Sequence, residues 1–247
     1  MTDIHFTPVF FGLFIGMIIE LLLSLYIFQK DTKFRPNQFI ALAYLFLAFT
    51  LFFNLPFLLL DMDDWIIDLL HRLTSVCAIF FGLFLYAAII YLRFGSSSLR
   101  EIDFSGFTAI SLFSCLGILI YPGVEFEIEN FVVIFQWDPF YSILSLLPIL
   151  LLGSGVIYHL FQLRDSMPKG DPVQKQLTYS IVAYFIITLS YFISRLPFAL
   201  NKSLPSLGSS LELIGLLGSI MVLVTTIILA KTYLQGKNKF KDETKEI

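Results

Sequence analysis

Charge is scarce in this sequence, and so are histidine and cysteine. Asp, Glu, Lys and Arg make up 14% of the 247 residues, whereas an ordinary soluble domain carries about 25%. The lysines and arginines form no stripe of the kind nucleic acid requires, which excludes a nucleic-acid partner. Two cysteines, Cys77 and Cys115, both sit inside apolar runs. A small disulfide-stapled secreted domain looks quite different, so both thiols are expected to be reduced and to pack as small hydrophobes. No loop carries the spaced Asp/Asn/Gly pattern of a calcium site, and neither a metal nor a cofactor is expected.

What the chain has instead is apolar length. Hydrophobic residues make up 57% and aromatics 17% of it, in runs near the roughly 20 residues that a helix needs to cross hydrocarbon. Seven spans are predicted, at about 7–29, 37–60, 65–94, 104–121, 139–163, 174–200 and 208–235, with a short basic tail over 236–247. Pro36, Pro122 with Gly123, Pro168 and Pro205 punctuate the joints. Asp138 followed by Pro139 reads as an N-cap and first-turn pair opening the fifth helix. The first run lacks a basic leader and a cleavage site, so it is expected to stay as a helix. The resulting expectation is an all-α integral membrane protein, a seven-helix bundle with no second, soluble domain.

Orientation follows from the basic residues. Thirteen of the sixteen lysines and arginines fall on one side of these spans: Lys30, Lys33, Arg35, Arg93, Arg100, Arg164, Lys169, Lys175 and five lysines from Lys231 onward. Only Lys202 falls on the other, and Arg72 and Arg195 lie within helices. The N-terminus is therefore expected outside and the C-terminus in the cytoplasm, most simply of a cell membrane. The outer side carries Asp61, Asp63, Asp64, Glu125, Glu127 and Glu129, read as a solvated acidic surface in preference to a hard-cation site. Glu125 to Glu129 alternate strictly with apolar residues, and an apolar run follows Asn130, which predicts a short hairpin over the outer mouth.

Ionisable groups inside a membrane cost about 2.5–3.5 kcal/mol or more, so each needs a reason. Asn54, Asp68, His71, Arg72, Arg195 and Glu212 all fall in the outer halves of their spans. Tyr184, Thr188, Tyr191 and Arg195 share one face of the sixth helix, and Gly208, Glu212, Gly215 and Ser219 repeat the rhythm on the seventh. Asp68 and Arg72 are one turn apart and can pair. Two readings are open. In one, Arg72, Arg195, Glu212, Asp68, His71, Tyr191 and Asn54 line an outward-opening pocket for an anionic or hydrogen-bonding ligand. In the other, Asp68 and Glu212 neutralise the arginines and the network only locks the helices. Gly12, Gly16, Glu20 and Ser24 sit four apart, so another helix is expected to approach the glycines, with Glu20 as a structural or proton-carrying glutamate. His159 is expected to be a satisfied structural histidine. Pro56, Pro148 and Pro197 are expected to kink their helices.

Catalysis finds little support, and the chain is read as a non-enzyme. The only lysine in the last span is Lys231 at its end, not the mid-helix lysine that a retinal Schiff base needs. Too few intramembrane histidines are present for a seven-helix zinc hydrolase, and Gly153-Ser154-Gly155 is not the Gly-x-Ser-Gly of a rhomboid-like protease. Tyr91-Leu92-Arg93-Phe94 is not the Asp-Arg-Tyr-like triplet of animal class A receptors, whose Asn-Pro-x-x-Tyr is also missing.

The stretch Asn37–Phe94 carries Phe39-Ile40-Ala41-Leu42-Ala43-Tyr44-Leu45, an acidic turn, Leu70-His71-Arg72-Leu73 and an aromatic-rich run to Tyr91-Leu92. Over about a quarter of the chain it resembles the seven-helix sensor module at the N-terminus of many prokaryotic histidine kinases. The resemblance implies a receptor or sensor. The tail 236–247 is too short for an output domain, so such a module is expected to signal through a separate cytoplasmic partner or as a homo-oligomer. Its basic inner loops would meet anionic lipid. A small transporter of three-plus-one-plus-three helices is the alternative, prompted by Glu20 and by the echo between Asn54-Leu55-Pro56-Phe57 and Arg195-Leu196-Pro197-Phe198. A structural scaffold is the third.

Overall fold

A computed structural model describes residues 8–30, 32–56, 62–95, 102–129, 132–200 and Met221. They form six helices and one hairpin: α1 (Pro8–Lys30), α2 (Arg35–Asn54), α3 (Asp64–Phe94), α4 (Ile102–Ile120), β1 (Val124–Glu129), β2 (Val132–Trp137), α5 (Pro139–Asp165) and α6 (Pro172–Leu200). Five of them, all but α4, are long and apolar enough to cross a membrane, and the apolar run of α4 is somewhat shorter, Phe104–Ile120. These are the helices of a multi-pass membrane protein. The predicted span at 208–235, with Glu212, lies outside the described residues apart from Met221.

Local chemistry sets the helix ends. Pro36 occupies the first turn of α2, and Pro139 that of α5, positions where a missing N–H costs nothing. Asp138 caps α5, its carboxylate accepting from Tyr141 N–H at 2.7 Å, as its place before Pro139 predicted. Gly95 ends α3 with φ 73°, a backbone state that side chains with a Cβ avoid. Two expectations are corrected. Helix α2 ends at Asn54, short of the predicted residue 60, so Pro56 lies just past it and does not kink it; a ring there has no N–H to donate and collides with the carbonyl four residues back, and residues 57–60 lie outside the described residues. Pro148 and Pro197, in contrast, sit inside α5 and α6.

Helix α2 packs between α1 and α3, and α5 contacts α3, α4 and α6. Small residues bring the backbones close, as they do in lipid, where apolar side chains gain little by leaving the hydrocarbon. A Cβ added at Gly153 would stand 2.5 Å from Thr188 of α6, and one at Gly155 would stand 2.7 Å from Tyr86 of α3. Tyr86, Ile79, Ile90, Leu152 and Val156 form the middle of the core, while Phe11, Ile15, Leu22, Phe113 and Ile120 stand exposed on the outside. Such an apolar exterior suits contact with lipid. Cys77 and Cys115 are free and buried. On α1, Gly16, Glu20 and Ser24 are buried, with Glu20 only 2% exposed and the Ser24 hydroxyl donating to Ala41 O of α2. Gly12 departs from that pattern: among the described residues nothing lies within 4 Å of where its Cβ would stand.

The hairpin joins the C-terminus of α4 to the N-terminus of α5, and its strands pair antiparallel, Val124 with Trp137 and Glu129 with Val132. It marks one end of the bundle, the hairpin end. Alternation puts Val124, Phe126, Phe135 and Trp137 on one face and Glu125 and Glu127 on the other. The apolar face packs on Ile67, Leu70 and Phe198, so the predicted hairpin forms and roofs this end of the bundle.

Candidate functional site

Beneath that roof three helices bring polar groups together. Helix α3 supplies Asp68, His71 and Arg72; α6 supplies Tyr191 and Arg195; α5 begins alongside with Tyr141. His71 is fully buried in an aromatic cage: Phe135 stacks on its ring with centroids 3.7 Å apart, and Trp137 and Phe198 meet it edge-on at 5.6 and 5.7 Å. The Trp137 indole N–H donates to His71 Nε2 at 2.8 Å. Indole can only donate, so Nε2 must accept; the imidazole is then neutral and carries its proton on Nδ1. That Nδ1 is buried and has no hydrogen-bond partner.

The two arginines, each 7% exposed, are used differently. Arg72 Nε bonds Asp68 Oδ2 at 2.8 Å, the pair expected from their spacing. Its Nη1 donates to Ile118 O at 2.5 Å and Tyr121 O at 2.6 Å, and its guanidinium lies over the Tyr141 ring at 5.7 Å. Ile118 O lies in the last turn of α4, where Pro122, four residues on, has no N–H to give, and Tyr121 O, just beyond, also accepts from Gly123 N–H at 3.0 Å. In a water-free surrounding each would be costly if left unbonded, and a cation there also opposes the negative end of the helix dipole. Arg72 therefore fastens α4 to α3.

Arg195 makes no ion pair among the described residues. Its guanidinium lies over Tyr191 at 5.4 Å and Phe198 at 5.5 Å. Phe198 thus touches both Arg195 and His71, and the charges of Arg195 and Arg72 both reach the imidazole. Asp68 Oδ1 is a second buried atom without a partner.

Below the cluster lies a cavity of about 40 Å³ between α2, α3, α5 and α6. Its walls are apolar, formed by Leu47, Ala78, Phe81, Ile149 and Ile187 among others. Tyr184, Thr188 and Tyr191 line it, which bears out the shared face predicted for α6, and Tyr191 links it to Arg195. Across the cavity, α3 presents Ala78 and Gly82, one and two turns beyond Ser75 on the face that begins with His71.

The remaining candidates sit elsewhere. Asn54 spends a donor on Thr50 O of its own helix at 2.6 Å. Glu20 faces α2 on α1, with Ser24 one turn away. Glu212 lies outside the described residues. At the opposite end of the bundle, Arg93 Nη1 meets His159 Nδ1 at 2.7 Å and the Tyr86 hydroxyl meets Nε2 at 3.4 Å, so that histidine is engaged at both nitrogens, as expected. Among the described residues no three or more His, Cys, Asp or Glu are grouped to hold a metal ion.

Trp137, Phe135, Phe198 and Tyr141 are the members that reading the sequence missed. The hairpin alternation was a usable signal for the first two: pairing acidic Glu125 and Glu127 outward turns Phe135 and Trp137 inward. Nothing local announced Phe198 or Tyr141. No family model matches this chain, and no curated protein or solved structure matches it either.

Proposed function

We propose that this chain is a seven-helix membrane receptor or sensor, with its N-terminus outside, that binds a small molecule at the hairpin end and signals through a separate cytoplasmic partner. One observation carries the reading: a buried arginine without a described counter-ion stands beside a buried imidazole N–H without a partner, both above an apolar cavity. A buried cation and an unmet donor are costly when left alone, and a ligand that supplies an acceptor relieves both. Within the candidate set, Arg195, His71 and Tyr191 are the binding groups. Arg72 and Asp68 are the frame, because the donors of Arg72 are committed to α4.

A thermal-stability screen of detergent-purified protein against small anions, lipids and aromatic metabolites tests this. A ligand raises the melting temperature of the wild type and loses its effect in Arg195→Gln. If nothing stabilises the wild type, and Arg72→Gln and Arg195→Gln merely melt early, both arginines are structural and the pocket reading fails. Thiol labelling of cysteines placed at Glu127 and Lys33 reads the orientation: only Glu127→Cys reacts from outside intact cells. The transporter alternative has less support, since Leu55-Pro56 lies past the end of α2 whereas Leu196-Pro197 lies inside α6. Uptake into proteoliposomes would reinstate it.

A further inference from the structure

Resting on that reading, we infer that the ligand is an amphipathic carboxylate, its head between Arg195 and His71 and its short alkyl or aryl part in the cavity between α3 and α6. The head follows from charge and donors. Arg72 is balanced by Asp68. His71 is neutral because it accepts from Trp137. Within this cluster of described residues Arg195 leaves one positive charge, which a monoanion matches and a phosphate dianion exceeds. A carboxylate also offers two oxygens to two separate donors, the guanidinium and the Nδ1–H that has no partner. Phe198 packs its ring against both groups and shields them from water, which strengthens a bond to either.

The tail follows from what lies beneath. Ala78, on the cavity wall, is about 10 Å from His71 along α3, and Tyr191, also on the wall, lies one turn from Arg195 on α6, so both helices run from the head groups to the cavity. Apolar cavities of this kind stay dry and accept apolar groups. The volume of about 40 Å³ admits a few methylenes or a small ring, not a full lipid chain. Neither part of the ligand is recognised alone: a short anion leaves the cavity empty, and an alcohol leaves the cation unmatched.

The test is thermal stability of the full chain in lipid nanodiscs with acetate, hexanoate, octanoate and 4-phenylbutyrate, and with octanol and octylamine as partition controls. Hexanoate, octanoate or phenylbutyrate raises the wild-type melting temperature by several degrees, at concentrations where acetate, octanol and octylamine do nothing. Arg195→Gln then requires at least tenfold more carboxylate for the same shift. Ala78→Leu or, should that variant fail to fold, Ile187→Phe fills the cavity and moves the preference to shorter acids. Carboxylates that act equally at every length overturn the tail and leave the pocket reading standing. Octanol acting as well as octanoate reduces the effect to partitioning and overturns the inference. Stabilisation that appears only in Glu212→Gln makes Glu212 the resident counter-ion and also overturns it. Absence of any effect in every variant overturns inference and pocket together.

Discussion

Replacing Arg72 by glutamine removes the fastening between α3 and α4. The arginine donates to Ile118 O and Tyr121 O at 2.5 and 2.6 Å and pairs with Asp68 at 2.8 Å. Hydrogen bonds to a charged group are worth about 1.5–3 kcal/mol each, so losing both carbonyl bonds costs about 3–6 kcal/mol. The ion pair adds less. The Asp68 side chain is 34% exposed, and pairs open to solvent contribute about 0–1 kcal/mol. Arg72→Gln is therefore expected to lose about 4 kcal/mol, and Asp68→Asn no more than about 1 kcal/mol. Arg72→Lys falls between them, since an ammonium keeps the charge but lacks the planar fork that serves a carboxylate and two carbonyls together. Unfolding in mixed micelles titrated with denaturing detergent measures all three. An Arg72→Gln variant within about 1 kcal/mol of the wild type, or an Asp68→Asn variant that costs as much, refutes the idea that the two carbonyl bonds hold α4 in place.

Trp137→Phe keeps a ring on His71 but deletes the indole donor, and is expected to cost about 1–2 kcal/mol in the same assay. Trp137 is 1% and Trp65 65% exposed, so Trp65→Phe leaves one tryptophan whose emission is blue-shifted and resists iodide quenching; water-like emission would place Trp137 outside the core. Gly153→Ala drives a Cβ to 2.5 Å from Thr188 and is expected to destabilise by about 1–3 kcal/mol. Gly106→Ala on α4 meets nothing within 4 Å among the described residues and is expected to be neutral or up to about 1 kcal/mol stabilising. Equal effects at the two glycines would contradict the α5–α6 approach. Cys77 and Cys115 should resist maleimide until the protein is unfolded, as buried thiols do.

Much of this protein is written locally, and the local part was readable. The runs that became α1, α3, α5 and α6 lie within about two residues of where apolar length and the punctuating prolines and glycines put them, because crossing hydrocarbon demands about 20 apolar residues wherever the chain goes. The Asp68–Arg72 pair, the Asp138 cap and the existence of the hairpin each depend on residues close in sequence, so local pattern alone predicted them. Asn54 shows the limit of depth as a guide. It shares a level with the cluster, yet without water its amide takes the nearest acceptor, Thr50 O, one turn back. Pro56 shows another: the same Leu-Pro pair follows the end of α2 but is carried inside α6, since tertiary packing decides whether a helix continues through a proline.

Only the tertiary structure decided what the polar groups do. Arg72 reaches carbonyls 46 and 49 residues away, and Trp137 reaches His71 across 66; no periodicity encodes partners so distant. The sequence placed two arginines in one half of the membrane and left their roles equivalent. Packing made one of them a fastening for α4 and set the other, with a neutral imidazole, over a cavity whose walls come from four helices. That division arises because an unmet donor is costly in a buried site, and which acceptors are near is a property of the folded bundle alone.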